Sequence, residues 1–174
     1  MICVFPTHVW TIILAFRDFS WIAERTRAWD AIGVLAYGLI FALVESLSVF
    51  LVFVLLGFLI PRRWSEQKRI LLLGTLVLMV GLWIALSQLY FLLDLSLPDA
   101  LVRALAQSEH PVRAMYVGSL ALVLPAFLIP SYLIAKSGSV SKFMDELLAR
   151  LALLSSIYLV FDLAAVVIIV SRNL

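Results

Sequence analysis

Four long apolar stretches, separated by short polar punctuation, set the plan of this chain. Residues 31–60 form the first and stop at Pro61, with Arg62 and Arg63 behind it. The second covers residues 70–95 and ends in a Ser96-Leu97-Pro98-Asp99 turn, the third covers 114–135, and the fourth 147–170. Each exceeds the roughly 20 residues that a helix needs to cross a hydrocarbon core of about 30 Å. Inside lipid such stretches must be helical, because an open strand edge leaves backbone groups without partners. The first stretch, about 45 Å long as a straight helix, must tilt, kink or project beyond the membrane.

Residues 7–28 carry a different pattern. Thr7, Thr11, Asp18 and Arg25 share one helical face, while Ile12, Phe16, Phe19 and Ala23 occupy the opposite one. That periodicity predicts an amphipathic helix in the membrane interface, with Trp10, Trp21 and Trp29 as belt residues. The alternative is a fifth span, which must hold Arg17 and Asp18 near its middle at a cost of about 3 kcal/mol each. Between the second and third stretches, Ser96 and Asp99 resemble a capping box and predict a short surface helix ended by His110-Pro111. Lys136 to Ser141 contains Ser-Gly-Ser, a flexible break, after which Asp145 and Glu146 suit the first turn of the last helix. The chain therefore reads as an all-α, polytopic membrane protein of one domain over residues 1–174. It has four spans plus an N-terminal interfacial helix, or five spans in the alternative.

Composition sharpens this picture. Hydrophobic residues make up 64% of the chain and charged residues 14%, with a mean hydropathy of +1.12. Soluble domains sit nearer half apolar and a quarter charged, so the bilayer must solvate most of these side chains. A net charge of +2 with no basic stripe gives no footprint for nucleic acid. One cysteine, Cys3, excludes an intrachain disulfide and a paired-cysteine redox centre. The two histidines, His8 and His110, lie outside the long apolar stretches, which leaves no expected metal or haem ligand set and no expected cofactor. Residues 1–16 lack the basic start and small-residue cleavage site of a signal peptide, so residues 1–174 are taken as the mature chain.

Lysines and arginines near span ends set orientation. Arg62, Arg63, Lys68, Arg69, Lys136, Lys142 and Arg150 fall on one side. Arg17, Arg25, Arg27, Arg103, Arg113 and Arg172 fall on the other. The density over residues 61–69 predicts that this loop is cytoplasmic, in the plasma membrane, with the C-terminus outside.

The chemistry-bearing candidates are two acids set deep in apolar sequence, Glu45 in the first span and Asp162 in the fourth. Counted from the ends at Arg62 and Arg150, they lie about 25 Å and 18 Å up, at comparable depth. No Lys, Arg or His occupies the middle of a span, which predicts that any partner within the chain is neutral. Ser48 and Tyr158 lie one turn away on the same helices, and Gln88, Ser87 and Ser119 lie in other spans. An isolated carboxylate in hydrocarbon favours its protonated form, so the pair reads as a hydrogen-bonded packing site, a proton or cation site, or a site completed by another subunit. Pro125 and Pro130 free carbonyls within the third span and mark a candidate hinge. Gly33, Ala36, Gly38 and Ala42, like Gly74 and Gly81, form small-residue strips suited to close helix packing.

No catalytic motif occurs: no nucleophile elbow, zinc-protease helix or phosphate loop, and no surroundings for a paired-carboxylate protease. Three functions follow, in order. The first is a non-catalytic subunit or assembly partner of a membrane complex, in contact with a partner subunit or further copies of itself. The second is a small proton- or cation-linked transporter or channel using Glu45 and Asp162. The third is a membrane enzyme acting on a lipid-linked substrate through Asp94, Asp99, Glu109, His110 and Arg113.

Overall fold

The computed structural model describes residues 1–61, 63–93 and 95–174, with the side chains of residues 19, 23 and 91 outside that description. Seven helices follow one another among the described residues: α1 (Val4–Arg17), α2 (Phe19–Arg25), α3 (Ala28–Gly57), α4 (Glu66–Leu92), α5 (Asp99–Ala106), α6 (Pro111–Lys136) and α7 (Gly138–Asn173). Four of them, α3, α4, α6 and α7, are long and apolar enough to cross a bilayer. The all-α class and the four long helices stand as the sequence predicts. Each long helix also begins before its apolar stretch does, because the flanking polar residues suit a helix start. Asp30 and Glu66 lie in the first turns of α3 and α4, where the helix dipole favours an acid. Pro111 opens α6 at a position that needs no N–H.

Several sequence-based expectations change. The Ser-Gly-Ser segment is no flexible break: Ser137 alone separates α6 from α7, and its hydroxyl accepts from the Val140 N–H at 3.4 Å. Ser141 Oγ donates to the Ile134 carbonyl at 2.9 Å, satisfying a group that the end of α6 would leave open. Asp145 and Glu146 consequently lie beyond the first turn of α7. Pro111 starts a helix instead of ending one. Arg62 and Asp94, used above for orientation and for the outer-face cluster, lie outside the described residues, as do the side chains of Phe19 and Ala23.

The N-terminal segment departs furthest from its expected form. It is two helices, broken at Asp18, and α1 is seated against α3, α4 and α7. At 14 residues, α1 is about 21 Å long. It runs antiparallel to α3, with Thr7 beside Ser46 and Thr11 beside Gly38. It runs parallel to α7, with Met1 beside Ser156 and His8 beside Asp162. Its Thr7–Thr11 face points into the protein, while Phe16 on the other face is exposed. The amphipathic pattern is present, but its polar side meets other helices.

Small residues make this seating possible. A Cβ on Gly81 of α4 would lie 2.5 Å from the Pro6 Cβ. Ala36 and Ala42 of α3 are 2% and 1% exposed, so their size sets how closely the neighbours approach. Lipid tails are as apolar as leucine, so what holds helices together here is close packing and interhelical hydrogen bonding. At the other end of α3, Arg172 donates to the Trp29 carbonyl and pairs with Asp30 at 2.9 Å, its guanidinium filling the space that a side chain at Gly33 would take.

Candidate functional site

Buried polar side chains concentrate where α1 meets the bundle. His8 is 0% exposed and Asp162 2%, and Ser46, Thr75 and Ser155 are buried as well. Three of these hydroxyls donate to the carbonyl one turn back on their own helix: Ser46 to Ala42, Thr75 to Leu71 and Ser155 to Leu151. His8 and Asp162 instead meet across helices, Nε2 to Oδ1 at 2.8 Å. The imidazole stacks on Tyr158, with 5.6 Å between ring centroids and 14° between planes.

The proton inventory of this pair follows from its partners. His8 Nδ1 lies 2.9 Å from the Val4 carbonyl oxygen, which can only accept. Nδ1 must therefore carry a hydrogen. A hydrogen also lies between Nε2 and Oδ1, either on the imidazole, giving a cation–carboxylate pair, or on Asp162, giving two neutral groups. Both forms sum to zero charge and differ only in where one proton sits. The second carboxylate oxygen of Asp162, Oδ2, is buried with no hydrogen-bond partner among the described residues. Thr7 extends the cluster: its hydroxyl lies 2.7 Å from Ser46 Oγ and 3.3 Å from His8 Nδ1.

The two acids thus do not form one site. Asp162 has a histidine as partner, where the sequence points to hydroxyl, phenol or amide groups of the spans, because α1 carries His8 in from outside the long apolar stretches. Tyr158 is adjacent, through its ring stacked on His8. Glu45 is exposed and lines a groove of about 610 Å³ between α1, α3 and α4, which His8 and Asp162 do not line. Ser48 and Gln88 line the same groove, and so do Thr7, Thr11 and Trp10. Ser48 Oγ donates to the Val44 carbonyl on its own helix. A second groove of about 450 Å³, running towards Asp18 between α1 and α3, shares Thr11, Leu14 and Glu45 with the first, so Glu45 stands where the two join.

The remaining candidates stay apart from this region. Pro125 and Pro130 lie inside a continuous α6, of which Ile134 is buried. Glu109, His110 and Arg113 share a shallow, exposed surface at the start of α6. Among the described residues, no group of three or more His, Cys, Asp or Glu side chains is arranged to hold a metal ion. Compared with protein-family models, curated proteins and solved structures, the chain has no significant match, so no relative lends it a fold name or an activity.

Proposed function

We propose that this small integral membrane protein is a proton-linked transporter of cations, with the His8–Asp162 pair as its proton site. The observation that carries this is the fully buried imidazole 2.8 Å from Asp162, a distance that calls for one hydrogen between them, with the second carboxylate oxygen buried and without a partner among the described residues. Two apolar side chains of similar volume would hold α1 in place without the desolvation cost of such a pair. Ionisable groups inside membrane helices are rare and commonly mark ion or proton routes. Thr7 supports the reading further, since it touches His8 and also lines the groove that holds Glu45. Coupling requires the shared proton to leave the pair for the aqueous phase. Its loss leaves the pair at −1, a charge that an arriving cation offsets, and its return restores neutrality as the cation departs.

The test is reconstitution into vesicles that enclose a pH dye and carry an imposed proton gradient. Sodium, potassium and organic ammonium ions are then added in turn. At least one should collapse the gradient faster than in protein-free vesicles, and Asp162→Asn should return the rate to that baseline. Wild-type rates in both Asp162→Asn and His8→Leu sink the proposal, as does a wild-type protein that responds to none of the cations.

A second reading, a non-catalytic subunit, has one observation in its favour. α6 is the least covered of the long helices, and a side chain at Gly118 would meet open space. Copurification of a stoichiometric membrane partner along α6 is the result that would favour it.

A further inference from the structure

The groove beside Glu45 has a chemistry that the proton site does not use. Glu45 lies 12 positions before the end of α3 at Gly57, about 18 Å along the helix and far from either end. Its carboxylate faces a space walled by valines, Ile84, Pro6 and Trp10, with the polar atoms of Thr7, Thr11, Ser48 and Gln88 spread among them. Among the described residues, no cationic side chain lines that space or the groove continuous with it. A carboxylate in such a setting is complemented by a positive charge that brings its own apolar surface. Water and small inorganic cations do not supply that surface, and a neutral lipid chain does not supply the charge. Trp10 adds an aromatic ring, the side chain best suited to an adjacent cation. A volume of about 610 Å³ falls within the range of small-molecule sites.

We infer that the α1–α3–α4 groove is a binding site for a hydrophobic monovalent organic cation, with its charge at Glu45 and its apolar body against Trp10 and the α4 wall. This rests on the transport proposal only in naming what would be carried; the site itself stands on the groove. α1 forms one wall and also holds His8. An occupant therefore touches the same helix that the proton site fixes.

Equilibrium dialysis of radiolabelled tetraphenylphosphonium against the full chain in dodecyl maltoside tests this directly. Tetraphenylborate, with nearly the same shape and the opposite charge, serves as the control. Saturable, near-stoichiometric binding of the phosphonium is expected, with none for the borate. Glu45→Gln should weaken binding about tenfold or more, Glu45→Asp should keep most of it, and Trp10→Leu should weaken it while leaving charge selectivity intact. Glu109→Gln, on the remote exposed surface, should bind as wild type. Equal binding of borate and phosphonium shows an apolar crevice that lipid fills, and overturns the inference; so does wild-type affinity in Glu45→Gln. Charge-selective binding without cation-driven proton flux in vesicles leaves this site standing and removes the transport proposal. Proton flux without saturable phosphonium binding does the reverse.

Discussion

His8 and Asp162 are 154 positions apart, yet their contact is the most informative one in the molecule. Its value can be measured by removing the partners singly and together. His8→Leu strands a buried carboxylate, and Asp162→Leu strands a buried imidazole. Breaking a buried pair from one side costs about 3–5 kcal/mol, whereas replacing both members by apolar groups is often close to neutral. Unfolding titrations in mixed detergent micelles should therefore show a His8→Leu/Asp162→Leu double variant more stable than either single one. A double variant whose loss equals the sum of the two singles would mean that the pair has no special coupling. Nitrogen NMR of labelled His8 should independently find Nδ1 protonated, as the Val4 carbonyl requires; a bare Nδ1 would contradict the proton inventory. Sequence alone exposes half of this site. An acid within IYLVFDLAAVV is conspicuous, and so is Glu45 within its own apolar run. His8 is not, because it lies in a short segment with Thr7, Arg17 and Asp18, where a histidine reads as solvated. One signal was available: Val4, His8, Thr11 and Ala15 recur at helical spacing, and a lone histidine is a natural partner for a lone mid-span acid.

At the scale of elements, the four long helices are legible because twenty or more apolar residues in a row leave no competing structure. α1 is not, because its position is decided by residues far away in sequence. Its polar face reads equally well as facing water or facing other helices, and nothing local tells these apart. The glycines decide it. Gly81 presents its backbone to Pro6, whose ring cannot swing aside, whereas the atom nearest a Cβ at Gly74 is the end of the flexible Leu148 side chain, at 2.8 Å. Gly81→Val should thus lift the start of α1 off α4, while Gly74→Ala should be absorbed by a shift of Leu148. Cys3, buried at the base of α1 and the only cysteine, reports the difference without added probes. Maleimide should label Cys3 about tenfold faster or more in Gly81→Val than in wild type, and near the wild-type rate in Gly74→Ala. Equal rates in all three would mean that α1 is not held by this approach. The Ser137 turn is hidden for a related reason: Ser-Gly-Ser is flexible in isolation, and it is closed by the Ser137 hydroxyl on the Val140 N–H together with the Ile134 carbonyl, which the preceding helix offers to Ser141.

For the whole molecule, the helices alternate in direction, so the segment before α4 and the turn at Ser137 share one end, and Arg172 shares the other with the start of α3. The cations divide accordingly, but they are not equally free to set orientation. Arg172 is engaged by Asp30 and Trp29, Arg17 by Asp18, and Arg25 lies 4.7 Å over the ring of Trp21. At the opposite end, Arg63 and Lys68 are exposed beside an apolar helix, the arrangement that retains a loop on the cytoplasmic side. Arg27 and Arg113 are nevertheless exposed at the Arg172 end, and Lys136 lies 5.1 Å over the ring of Tyr132 at the other. It is therefore the close grouping of Arg63, Lys68 and Arg69 that leads us to expect the segment before α4 to be cytoplasmic. In a Cys3→Ser background, a cysteine at Ser65 should react with an impermeant maleimide only in inside-out vesicles, and one at Glu109 only in right-side-out vesicles. The reverse labelling would invert the molecule and place the Asp18 end of the groove on the cytoplasmic side, changing which compartment that end faces. Mixed labelling of both positions would show that the balance of cations is too even to select one orientation. In that case Arg63→Gln with Lys68→Gln should leave the mixture unchanged, whereas in a singly oriented protein the same pair should begin to invert it.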